Sequence, residues 1–185
     1  MERILGPEHP DTLSSVGNLA ILLSDKGDYA AAEALYRRAL EARERILGPE
    51  HPHTLSSLNN LAILLGTKGD SAAVEALYRR LLEGQERVFG PVDRHTLSTL
   101  IRLAALLDVT DRLPEAVALF REHAAKSEAC LAGVRYHLAC YECLSGNQDE
   151  AKRLIIAEIT ADPEKKEQAL EDADLAALHE FIQRL

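Results

Sequence analysis

The sequence contains no tryptophan, one methionine and three cysteines in 185 residues, and aromatic side chains make up only 4%. Three cysteines is an odd and sparse count, which argues against a disulfide framework and fits a reducing, cytoplasmic setting. No run approaches 18 apolar residues, so no membrane-spanning helix is expected. The first ten residues hold charges and two prolines without an apolar core, which is unlike a secretory leader. Positive charge is also short: 21 basic against 30 acidic side chains give a net charge of −9. That balance disfavours nucleic acid and anionic lipid as partners. Catalytic signatures are missing as well. There is no phosphate-cradling G-x-x-x-x-G-K-[ST], no G-x-S-x-G and no H-E-x-x-H, so no enzyme activity and no cofactor are expected. Leucine and alanine dominate instead, with 28% charged residues, a mixture that favours helices.

What is present is a repeat. Residues 2–43 and 44–85 align without a gap and agree at 32 of 42 positions. Both begin Glu-Arg-Ile-Leu-Gly-Pro-Glu-His-Pro. Residues 86–127 keep the register, with 15 positions identical to the first block. Such a period points to stacked units, each burying its apolar face on its neighbours. Within the first block, Leu13, Val16, Leu19, Ala20 and Leu23 recur at helical spacing, Gly27-Asp28 interrupts, and Ala32, Leu35, Tyr36, Ala39 and Leu40 resume it. The second helix is expected to end at about Leu47, where Gly48 tolerates a left-handed cap and Pro49 cannot continue the helix. Glu33/Arg37, Glu41/Arg45, Glu75/Arg79 and Glu83/Arg87 are i,i+4 pairs in the favoured order and read as a solvated outer face.

His9 and His51 precede prolines at expected helix starts, and Asp93 holds the same place in the third block, so all three are expected to cap helices. The strongest metal motif is His137-x-x-Cys140-x-x-Cys143, with Cys130 nearby. Its donor types suit zinc, but the three residues spread about 9 Å along one helix. Packing or lining of a surface is the ordinary role for such residues, and no metal is assigned.

Ala20 and Ala32, Gly27-Asp28-Tyr29 between the helices, and Tyr36 and Ala39 together resemble the tetratricopeptide repeat (TPR). The 42-residue unit, with Leu58-Asn59-Asn60-Leu61-Ala62 and the Gly48-Pro49-Glu50-His51-Pro52 connection, is similar to the repeats of kinesin light chains and their many bacterial relatives. Residues 132–165 resemble a shorter repeat, with Leu138, Ala139, Gly146 and Ala151 at the expected spacing. The resemblance implies an all-α, right-handed superhelical solenoid of antiparallel helix pairs. It would form one domain over 1–185, with repeats at about 2–43, 44–85, 86–127 and 132–165 and a cap at 166–185. In the cap, Leu175, Leu178, Phe181, Ile182 and Leu185 form one apolar stripe.

The resemblance also implies a concave groove lined by the first helices. Its site positions are Ser14, Asn18 and Ile21; Ser56, Asn59, Asn60 and Ile63; and Ser98 and Arg102. In the family such asparagines hold the backbone of an extended peptide, since an amide both donates and accepts, and a base such as Arg102 can pair with a carboxylate. A protein or peptide partner is therefore expected, with the chain acting as a scaffold. Two alternatives stand beside it. One is a self-associating assembly module, or a fragment of a longer array, because the first helix of unit one would expose a face that normally packs on a preceding repeat. The other is a metal or redox site at His137, Cys140 and Cys143.

Overall fold

The computed structural model describes residues 5–185. Among the described residues it is all-α: 82% are helical, and no strand occurs. The chain forms two compact units, Met1–Gly90 and Pro91–Leu185. The fold is the helical-repeat solenoid that the 42-residue period implies.

Unit 1 holds α1 (Pro10–Asp25), α2 (Tyr29–Leu47), α3 (Pro52–Thr67) and α4 (Ser71–Phe89). Each first helix opens on a proline whose missing N–H costs nothing there. His9 and His51 cap α1 and α3 through Nδ1, which accepts the N–H of Asp11 and of His53 at 3.2 Å. The link between paired helices is three residues long. Gly27 and Gly69 take φ of +82° and +79°, and Asp28 and Asp70 then accept the N–H of Ala31 and Ala73. The long helices stop at Leu47 and Phe89. Gly48 and Gly90 sit at φ/ψ near 90°/163° and 89°/165°. That is the extended mirror-image region, essentially reserved for glycine, and not the left-handed helical cap expected from the sequence.

Successive helices of unit 1 pack on one another in chain order. Ala20, Ala32 and Ala62 are fully buried, which lets backbones approach closely, and Tyr36, Leu58, Leu61, Val74 and Leu81 fill the remaining space. Gly84 lies inside α4 because a Cβ there would come within 2.7 Å of Leu55 Cδ2.

Unit 2 holds α5 (Arg94–Val109), α6 (Leu113–Ala124), α7 (Glu128–Leu144), α8 (Gln148–Ala161) and α9 (Lys165–Glu171), then a 3-10 stretch (Ala173–Leu178) and α10 (His179–Gln183). Asp93 caps α5 by accepting the N–H of His95 at 2.8 Å. Asp111 replaces the turn glycine and still takes φ +60°. Arg112 stands where Asp28 and Asp70 cap, and provides no side-chain cap. Phe120, Leu154 and Ile155 are buried in the core, and so is His123 in the place of Ala39. The terminal segment covers α7: Leu175, Leu178 and Ile182 are buried, Phe181 is half-buried and Leu185 is exposed. The cap expected at 166–185 is made of α9, the 3-10 stretch and α10.

Candidate functional site

The polar positions expected to bind a partner lie on three first helices. On α1, Ser14 and Asn18 are exposed, and Ile21 is 44% accessible. On α3, Ser56 is exposed, Asn59 and Asn60 are half-buried, and Ile63 is 46% accessible. On α5, in unit 2, Ser98 is half-buried and Arg102 exposed. The exposed isoleucines are notable because their neighbours on the same turns, Ala20 and Ala62, are fully buried. Ser14 and Ser56 each donate their hydroxyl to the carbonyl of Pro10 and Pro52 at 2.9 Å. Those protons are used within the helix, while the oxygens keep lone pairs for an incoming donor.

Ion pairs hold the helices in place. Glu33/Arg37 and Glu75/Arg79 form as the sequence spacing predicts, at 2.8 and 2.9 Å, and Glu83/Arg87 approaches to 3.8 Å. Arg45 reaches back to Glu8, and Arg87 repeats this 42 positions later with Glu50 at 2.7 Å. Each of these pairs ties a connector to the end of its long helix, and third-block Val92 replaces the acid. Lys68, at the end of α3, bonds Glu33 of α2, and Arg80 of α4 meets Glu44 of α2 at 2.6 Å. The Lys68 hydrogen bond, with Arg37 second, holds the Glu33 carboxyl below its ordinary range. Arg43, from α2, donates to Ser57 Oγ at 2.6 Å and to His53 O at 3.4 Å. Sequence spacing alone did not reveal these long-range ties, although charges recurring 42 residues apart were a usable signal.

Unit 2 contains two polar clusters that spacing also missed. Glu142 is fully buried and takes a bidentate pair from Arg121 at 2.5 and 2.7 Å, plus Asn147 Nδ2 at 2.9 Å. With Asp149, Glu150 and Arg153 these three line an open cleft of about 600 Å³. The second cluster lies under the terminal segment. Tyr136 donates to Asp172 Oδ2 at 2.9 Å, Cys140 Sγ lies 3.8 Å from the same oxygen, and Asp172 Oδ1 accepts the N–H of Asp174.

The His137, Cys140 and Cys143 set does not come together. Among the described residues, the donors that converge are Cys140, Asp172 and Asp174, within 4.8 Å of one another. His137 instead stacks on Phe120 at 6.1 Å and meets the edge of Tyr136. Burial pushes the Cys140 thiol well up, and Asp172 and Asp174 add to it; burial likewise raises Cys143. The thiolate is the nucleophile and metal ligand, and burial disfavours it at both sulfurs. All three cysteines are free and buried. No described helix is long and apolar enough to cross a membrane.

Helix pairs closed by Gly-Asp turns, with alanines at the crossings and a repeating register, are the geometry that a repeat family would leave. The family model described as tetratricopeptide repeat matches residues 1–44 and 11–87. Over residues 1–87 the chain is similar to tetratricopeptide repeats. Its fold is similar to the nearly identical TPR-like repeats described as kinesin light chain from Podosopora anserina, at 23% identity and a TM-score of 0.68. That match covers 86% of this chain and 78% of the other. A single-substitution variant of the same protein gives 22% identity and a TM-score of 0.69, with 89% and 81% covered. BtubC (BKLC) from P. vanneervenii is similar at 18% identity and a TM-score of 0.62, covering 80% of this chain and 61% of that one. No curated protein matches the sequence significantly. TPR repeats in general are protein-interaction scaffolds.

Proposed function

We propose that the chain is a non-enzymatic scaffold that binds an extended segment of a partner protein on its first helices. In unit 1 the binding positions are Ser14, Asn18, Ile21, Ser56, Asn59, Asn60 and Ile63. In unit 2, Ser98 and Arg102 on α5 offer contacts of their own. The observation that carries this reading is the recurrence of an asparagine and an exposed isoleucine at the same repeat positions on α1 and α3, Asn18 with Ile21 and Asn60 with Ile63, where the isoleucines remain 44% and 46% accessible. Amides bond a peptide backbone whose groups lack partners, and the isoleucines take its apolar side chains. Ordering a flexible segment opposes binding, so affinity is expected to be modest, roughly micromolar. Free buried cysteines fit a reducing, cytoplasmic compartment.

Peptides selected from a displayed library and titrated calorimetrically test this. Asn60→Ala and Asn18→Ala should each weaken binding about five- to tenfold, a loss of about 1–1.4 kcal/mol. Arg102→Ala should weaken acidic peptides more than neutral ones. Affinity unchanged in all three variants would remove the reading.

A second reading, self-association through α1, draws on the exposure of Leu19 and Leu22, at 49% and 58%. Light scattering over a concentration series separates it from peptide binding, since a strict monomer at high concentration rejects it.

A further inference from the structure

On α7, the face that corresponds to the binding positions of the other first helices is already occupied. In the repeat register, set by Gly146 opposite Gly27, Tyr136 stands at the place of Asn59 and His137 at that of Asn18 and Asn60. Cys140 stands at the place of Ile21, Ile63 and Ala105. A following repeat does not cover this last position: Ile21 is 44% accessible although α3 follows α1, and Ala105 is exposed although α7 follows α5. Cys140 is only 4% accessible. Its cover is the 3-10 stretch and the residue before it. Asp172 accepts from Tyr136 and lies beside Cys140 Sγ, and the Ala177 backbone N–H reaches Cys143.

The 3-10 stretch does not sit as one more repeat would. An incoming first helix packs chiefly on the second helix before it, as α3 does on α2 and α7 on α6, and α7 touches α5 only slightly. The 3-10 stretch reverses that preference, packing chiefly on the first helix, α7, and only slightly on α8. Asp172 enters it extended, at φ −77° and ψ 116°, and Leu175 and Leu178 are then buried. The hold is of a kind that can open. A 3-10 helix has poorer hydrogen-bond geometry than an α-helix, and α9 before it packs only slightly on α8. Like charges also crowd the segment: after burial, Asp172 and Asp108 are what raise the Asp174 carboxyl.

We propose that this face of α7 is a binding surface whose resident ligand is the chain's own Asp172–Leu178, and that a partner segment of the same chemistry, an aspartate followed by leucines three and six places on, competes for it. The incoming aspartate would take the Tyr136 hydroxyl, and its leucines the places of Leu175 and Leu178. This role for α7 rests on the reading that first helices bind partner segments, and it gives unit 2 an acidic, leucine-bearing class of ligand with a built-in competitor.

Hydrogen exchange of the full chain tests displacement first. Amides of residues 173–183 should exchange through local opening, at least about tenfold faster than those of α7; equal protection would overturn the proposal. A peptide of residues 170–185 is then titrated as a probe into the isotope-labelled full chain, where it should shift resonances of Tyr136, His137 and Cys140. Asp172→Ala in the protein weakens the resident alone and should tighten probe binding about five- to tenfold. Tyr136→Phe removes the same bond from resident and probe, so the apparent affinity should stay near that of the wild type. Asp172→Ala in the probe should weaken its binding. No binding to the Asp172→Ala protein up to about 1 mM, equal tightening in both protein variants, or equal binding of a scrambled probe would overturn the proposal. Asn18→Ala and Asn60→Ala should leave probe binding unchanged, so that failure here and failure of the peptide reading for α1 and α3 show separately.

Discussion

Single side chains decide how each helix begins. His9 and His51 do with an imidazole nitrogen what Asp93 does with a carboxylate, and their bonds are longer, 3.2 Å against 2.8 Å. Aspartate is a stronger cap and also complements the helix dipole. His51→Asp should therefore raise unfolding stability by about 0.5–1 kcal/mol, read from the urea midpoint. Glu33 gives a pH-dependent case. Its folded-state pKa lies below the ordinary value of 4.5 because Lys68 and Arg37 favour the carboxylate. The stabilisation is thus complete above the unfolded pKa and is lost as pH falls through the folded one. Wild type should exceed Glu33→Gln by a few tenths of a kcal/mol, roughly the value of a surface pair, at pH 7. That difference should shrink in denaturation series as the pH is taken progressively below the ordinary carboxylate value. Asp111 shows a cost left in place: at φ +60° it holds a conformation that Gly27 and Gly69 adopt freely. Asp111→Gly should gain about 0.5 kcal/mol or a little more.

At the scale of elements, α1 and α3 are near-copies placed in different surroundings. Leu22 and Leu64 occupy the same step of the repeat, yet Leu22 is 58% and Leu64 2% accessible. Leu64→Ala should cost about 2–4 kcal/mol, since it opens a cavity. Leu22→Ala should cost less than about 1 kcal/mol. Equal losses in the two variants would mean that α1 is covered in solution. The paired helices themselves were legible from apolar spacing, because burial on one side imposes a period of 3.6 residues. Their ends were legible from Gly48 and Gly90. The glycine conformation was not, since extended and left-handed positive-φ states both demand glycine. The 3-10 stretch was not legible for a related reason: Leu175, Leu178 and Ile182 suit a 3-10 turn followed by a short α-helix as well as one continuous helix.

At the scale of the whole molecule, the two units differ in what covers their apolar side chains. In unit 1, Leu19 and Leu22 of α1 are exposed, whereas in unit 2 Leu175, Leu178 and Ile182 are buried where the terminal segment closes on α7. Asp172 fastens that closure by accepting from Tyr136 while capping the 3-10 stretch. Asp172→Ala would leave a buried hydroxyl unpaired and should cost about 1–3 kcal/mol. It should also speed proteolysis within residues 173–185, which mass spectrometry of timed digests would detect.

The sequence by itself determined the helical class, the repeat register, the Gly-Asp turns and the capping positions, because each follows from short-range sterics and hydrogen bonding within a few residues. It could not determine which copy of an identical residue is buried, or which charges meet across 35 or more positions, as Glu33 and Lys68 do. Nor could it show that His137, Cys140 and Cys143 part company while Cys140 joins Asp172 and Asp174. Those outcomes belong to the tertiary structure, because burial and long-range pairing depend on what packs against each helix and not on the helix's own sequence.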